Sequence, residues 1–172
     1  KGEGEFSLKQ WRLEHPQVSF PERMVFDDGQ RRVELTKAGP AHTLGDAVAY
    51  LPKERILFTG DLVVTRAGNN VADKDADPEN WVRALDRLSS VDAAQLVPGH
   101  GPIGTHASIA PQRAYMAALV DGVKAGIQRG ESADEIAKKL DLTGIHPNGE
   151  DRARNEAMLF LTRYDARRMG CN

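Results

Sequence analysis

The sequence predicts a mixed α/β domain of α+β character: a small mixed sheet is laid down first, and C-terminal helices then cover one of its faces. Three observations predict it. Residues 23–59 break into short runs of strand-forming residues separated by turn residues. From Asp77 onward the apolar residues recur every three to four positions instead. No internal repeat, low-complexity tract or Pro/Ser-rich linker divides the 172 residues, so residues 1–172 read as one domain.

The strands expected are Arg23 to Phe26, Arg32 to Lys37, Ala47 to Leu51 and Arg55 to Thr59. "DDGQ" at 27–30 supplies a hairpin turn between the first two. "LPKE" at 51–54 joins the last two, with Pro52 suited to the second turn position. A helix then opens at "DPENWVRALDRLSS", with Asp77 as N-cap and Pro78 at the first helical position. Trp81, Leu85 and Leu88 fall on one face of it. "QLVPGH" from Gln95 reads as a short apolar strand running into a turn. Pro111 to Arg129 sets Tyr115, Met116, Leu119, Val120, Val123 and Ile127 on one stripe, ended by Gly130. Ser132 and Glu135 form a capping box for the next helix. A last helix is expected over roughly 152–168, with Met158, Leu159, Leu161 and Tyr164.

Composition narrows the function. The chain is 40% hydrophobic and 28% charged with a formal net charge of −2, which gives no electrostatic basis for nucleic-acid or anionic-membrane binding. No apolar run approaches the roughly 20 residues of a transmembrane helix, and "KGEGEFSLKQ" lacks the apolar core of a signal peptide. The single cysteine, Cys171, reads as an exposed terminal thiol compatible with a reducing compartment, and the expected location is cytoplasmic. A chain that begins at Lys1 is expected to be the remainder of something longer.

Three turns carry the residues able to do chemistry. His42 lies in "GPAHTLGD", Asp61 ends the strand-like "RILFTG", and His100 stands between Gly99 and Gly101 in "VPGHGP", where missing side chains leave room around the imidazole. Gly60 is expected to turn the chain sharply, aiming the Asp61 carboxylate out of the sheet edge. Strand-to-loop junctions are where functional groups sit on a rigid scaffold. Imidazole with carboxylate suits zinc or another borderline divalent ion, and a carboxylate can bridge two ions. The same three residues also read as turn formers chosen for backbone hydrogen bonding, Asp61 especially.

"GPAHTLGDAVAYLPKERILFTGDLVV" followed by "LVPGHGP" resembles the second half of a metallo-β-lactamase-fold metallohydrolase, over roughly residues 31–104. The resemblance implies half of an αββα sandwich. It implies His42 as ligand of a first metal, Asp61 as a bridge and the catalytic carboxylate, and His100 as ligand of a second. Asp46 looks structural. One or two ions are implied, zinc in the first instance, with iron or manganese compatible. The implied reaction is attack of a metal-bound hydroxide on an ester, thioester, amide or similar centre of a small-molecule substrate.

The family's His-x-His-x-Asp-His loop is absent from the 41 residues before His42, whose only histidine is His15. A catalytic zinc normally holds three protein ligands and an open position, and this chain offers one ligand to the first site and two to the second. His15 and His106 are the candidates for substitute ligands, and both also read as exposed loop histidines. Loss of one sheet of the sandwich would expose Val33, Leu35, Val48, Tyr50, Ile56 and Phe58, or whichever of them face inward, as an association surface. The expected partner is a second copy or a complementing N-terminal half. The alternatives to a hydrolase are a non-catalytic half-fold that dimerises and a fragment of a full enzyme.

Other signals fail. "DKDADPEN" spaces Asp73, Asp75 and Asp77 like an EF-hand loop, but Pro78 and Ala84 occupy the positions that need Gly and Glu. There is no phosphate-binding Gly-rich motif, no Ser nucleophile elbow and no zinc-knuckle spacing. The short basic pairs in "GQRRVE" and "ARRMGCN" fall far below a nucleic-acid signature.

Overall fold

The computed structural model describes residues 14–65, 71, 75–140 and 142. Within them, strands β1 (Arg23–Asp27), β2 (Arg32–Lys37), β3 (Ala47–Leu51), β4 (Ile56–Val64) and β5 (Gln95–His100) form one sheet in the order β1-β2-β3-β4-β5. The first three pairings are antiparallel and β4–β5 is parallel, the crossover being helix α1 (Pro78–Leu88). A 3₁₀ turn (His106–Ser108) leads into α2 (Ile109–Gln128), and α3 (Ala133–Lys139) follows. This is the small mixed sheet with covering helices that the sequence predicts.

Local chemistry explains the elements. The Asp27 and Asp28 carboxylates accept from the backbone N–H groups of Gly29, Gln30 and Arg31, and Gly29 takes the left-handed conformation (φ 82°) that closes the β1–β2 hairpin. Arg55 sits at φ 54°, so β4 begins one residue later than the sequence pattern suggests. Asp77 caps α1 through Asn80 N–H, with Pro78 at its first turn. α2 starts two residues before the expected Pro111, which falls in its first turn, where a missing N–H breaks no helical bond. The Ser132–Glu135 capping box is formed in both directions. The helix expected over 152–168, and Cys171, His146 and Asp73, lie outside the described residues.

The core lies between the sheet and the helices. Trp81, Leu85 and Leu88 of α1 and Tyr115, Met116, Leu119, Val120 and Val123 of α2 pack with Val48, Leu57 and Leu96 of the sheet. Ile127 is half-buried at the margin of this cluster. Each large side chain so buried contributes about 1.5–3 kcal/mol. Strand alternation sends the other residues to the opposite face, where no described element covers them. Register places Phe26 beside Val33, Leu35 between Met24 and Ala49, Ala49 beside Phe58, and Leu51 beside Ile56. All are apolar, and Phe26 and Phe58 are 54% and 40% exposed. The expected apolar face thus consists of Val33, Leu35, Ile56 and Phe58 with these neighbours. Val48 and Tyr50 belong instead to the helix-covered side, because they alternate with Ala49 and Leu51. Among the described residues no helix is long and apolar enough to cross a membrane.

Candidate metal centre

Strand direction brings the three turns to one edge. β2 and β4 are each antiparallel to β3, and β5 is parallel to β4, so β2, β4 and β5 all run the same way. The loop leaving β2 carries His42, the far half of β4 carries Asp61, and β5 ends on His100. Residues separated by 58 positions thereby become neighbours. The His42 Nδ1 lies 4.0 Å from Asp61 Oδ2, and His100 Nε2 lies 3.3 Å from Asp61 Oδ1.

The His42 loop is fastened from within. Asp46 accepts from Thr43 N–H (2.9 Å) through one oxygen and from Thr43 Oγ1–H (2.8 Å) through the other. Its backbone carbonyl accepts from Ala38 and Gly39 N–H at 2.8 and 3.0 Å. Asp46 is thus committed to holding the turn closed, as its structural reading anticipates. A side chain at Gly39 would press on Asp46 N and Thr43 O, at 2.9 and 3.1 Å from an added Cβ.

Asp61 does not end its strand. β4 continues to Val64, and the expected sharp turn at Gly60 is a left-handed residue (φ 52°) at a register irregularity within the strand. That irregularity re-aims the carboxylate, a common use of a bulge beside a site. Gly99 also has a different role from the one expected. Its missing side chain makes room for Asp61 rather than for the imidazole: a methyl carbon there would overlap Asp61 Oδ1 and stand 2.8 Å from Asp61 N. Pro98 is tolerated because β5 is an edge strand. Gly101 takes φ 103°, and Gly104 returns to bridge Leu96 through both backbone bonds, so the His100 loop closes on its own strand. Thr65 adds a bond to the Pro102 carbonyl at 2.6 Å and one from its N–H to His100 O at 2.9 Å.

The donor set fits a divalent ion in part. Two ligands on one tetrahedral zinc, each about 2.0–2.1 Å from it, lie about 3.3 Å apart, which is the His100–Asp61 separation; His42 stands slightly wider. Exposure rises across the arc, from 20% for His42 through 33% for Asp61 to 73% for His100. Yet among the described residues no three His, Cys, Asp or Glu side chains close into a shell that would hold an ion unaided. His15 is exposed outside any regular element, and His106 Nε2 sits 3.0 Å from the Ser89 carbonyl, at the end of α1.

Sequence reasoning missed one neighbour. The Trp81 indole stands edge-on to the His42 imidazole, with ring centroids 5.5 Å apart and planes at 85°. Trp81 was legible only as an apolar residue on the inner face of α1.

Comparison with known proteins agrees with this fold. A model of the Metallo-beta-lactamase superfamily matches residues 3–100. A metallo-beta-lactamase type 2 of Bacteroides fragilis is 27% identical over 92 residues, covering 52% of this chain and 37% of that protein. The 2,4-dinitroanisole O-demethylase subunit alpha of Nocardioides sp. (strain JS1661) is 33% identical over 79 residues, covering 46% and 24%. The solved metallo-beta-lactamase from Pontibacter korlensis superposes with a TM-score of 0.55 at 32% identity, over 60% of this chain and 50% of that one. The chain thus spans about a quarter to a half of the relatives it matches. Its five-stranded mixed sheet and helices are a half of this family's fold, and the chain belongs to the metallo-beta-lactamase superfamily of metal-dependent hydrolases.

Proposed function

We propose that this chain carries part of the divalent-metal site of a hydrolase, with His42 on one side of the Asp61 carboxylate and His100 on the other. The observation that supports it most is the division of the two Asp61 oxygens between two imidazoles, at 4.0 and 3.3 Å. A carboxylate facing two separate nitrogen donors is suited to bridge two ions. Zinc is the ion we propose, because imidazole and carboxylate are both among its usual ligands; iron or manganese would accept the same donors. When bound, such an ion polarises an acyl-type oxygen and makes water acidic enough to act as a nucleophile near neutral pH.

The chain's own residues hold and orient. The Asp46 lock keeps the His42 turn closed, and Gly99 lets the Asp61 carboxylate lie against β5. His100 is the most open of the three, and a small ester, thioester or amide substrate would meet it first. The remaining ligands would come from the complementary half of the family fold. Two facts support that division: the arc does not close by itself, and the chain covers half of the solved relative. The apolar face around Leu35, Ala49 and Phe58 is where that half would pack. The open arc also favours a second reading, a half-fold that associates without catalysis.

Metal content separates the two. Elemental analysis of chelator-free protein, associated with the half that completes its site, should give about one ion per chain, reduced to background by Asp61→Ala or His100→Ala. Metal no higher in the wild-type assembly than in these variants would overturn the hydrolase reading and leave association as the function to pursue.

A further inference from the structure

The first turn of α1 touches the His42 loop at three consecutive residues. Asn80 Nδ2–H donates to the Pro40 carbonyl at 2.6 Å, Asp77 N–H donates to the Ala41 carbonyl at 2.7 Å, and the Trp81 indole stands against the His42 ring itself. The same indole donates its Nε1–H to the Leu62 carbonyl at 3.0 Å, one residue past Asp61. Trp81 is wholly buried, so its ring has no freedom to follow a wandering imidazole. One rigid side chain therefore touches both the ring of one donor and the backbone that presents another.

We infer that Trp81 is a positioning residue for the metal centre, fixing the plane of the His42 imidazole relative to the Asp61 carboxylate. The inference rests on the proposed reading of His42 and Asp61 as metal ligands. An edge-on aromatic contact is directional and contributes beyond its buried area. A donor ring held in one plane before the ion arrives binds without the loss of freedom that a swinging ring would incur, and partners that orient a ligand typically change metal affinity by about 10–100-fold when removed. Trp81 touches no reacting atom; its effect passes through His42 and β4.

The test is zinc affinity of this chain, associated with the half that completes its site, by competition with a chromophoric chelator, beside denaturant unfolding of the metal-free protein. Trp81→Leu, which removes the ring, should weaken zinc by about 10–100-fold. Trp81→Phe keeps an aromatic body, loses the bond to Leu62, and should fall between; it also stands in should Trp81→Leu fail to fold. Leu85→Ala, a buried position one turn along α1, removes core volume without removing a ring from His42, and should leave zinc affinity within threefold at a similar loss of stability. Equal weakening by Leu85→Ala would reduce Trp81 to a core residue and overturn the inference. So would unchanged affinity in both Trp81 variants. Absence of zinc uptake by the wild-type assembly would instead overturn the metal reading on which this one stands.

Discussion

Replacing Gly99 with alanine tests whether the closeness of Asp61 to β5 is built in or incidental. The backbone of Gly99 is not among the positive-φ residues, so alanine meets no conformational barrier there and the whole effect is steric. The added carbon would overlap Asp61 Oδ1 and lie 2.8 Å from both Asp61 N and the Gly60 carbonyl carbon. Ordinary contact begins near 3.4 Å. The carboxylate can rotate, but the two backbone atoms can yield only if β4 moves away from β5 by about 0.6 Å. A separation of that size stretches a normal 2.9 Å ladder bond to about 3.5 Å, the edge of hydrogen bonding. Overpacking of this kind costs about 1–3 kcal/mol. At roughly 2–4 °C per kcal/mol for a domain of this size, Gly99→Ala should melt about 2–12 °C lower. The rotated carboxylate should also lose its place beside His100 and weaken metal binding at least tenfold. Calorimetry and zinc titration read the two effects. A variant that melts within 1 °C of wild type and binds metal equally well would refute the close-packing argument.

Other perturbations address other links. Asp46→Ala removes both side-chain bonds to Thr43 and should loosen the His42 turn, lowering stability by about 1–3 kcal/mol and metal affinity with it; an unchanged zinc titration would mean the lock is dispensable. Ser132→Ala breaks the α3 capping box and should cost about 1 kcal/mol in denaturant unfolding without touching metal binding. Glu131 accepts from Arg129 and Lys139 at 2.8 and 2.6 Å, and these bonds, Arg129 foremost, hold its carboxyl down at about 2 instead of 4.5. Because the folded value is depressed, its contribution is complete above about pH 4.5 and fades as pH falls toward 2. Glu131→Gln should therefore flatten the acid limb of the unfolding curve, and parallel limbs would contradict the assignment. Phe58→Asp, on the uncovered sheet face, should leave helix content intact by circular dichroism while abolishing association with a complementing half in sedimentation.

The local plan of the fold is written in adjacent residues. Turn chemistry at Asp27–Gly29 and Pro52–Arg55, the Asp77–Pro78 helix start and the Ser132–Glu135 box each depend on a few neighbours, and each forms at the place its pattern indicates. Reach is what adjacent residues do not carry. The strand pattern ends at Thr59, yet β4 runs to Val64, because β5 beside it supplies pairing that its own sequence does not announce. The sequence leaves open which of Val48, Tyr50 and Phe58 share a face, since the side of a strand that lies under a helix is decided by the helix.

The same division holds at the candidate centre. The residue types of His42, Asp61 and His100, their junction positions and the glycines around them are properties of the sequence, and so is the chemistry those groups can offer. Their approach to within 4.0 Å follows from the common direction of β2, β4 and β5, and direction is a consequence of pairing across the chain. The role of Gly99 beside Asp61 and the stand of Trp81 against His42 belong to the tertiary structure alone. A glycine's missing atom and a buried indole's edge acquire meaning only from what packs against them, and that neighbour lies far along the chain.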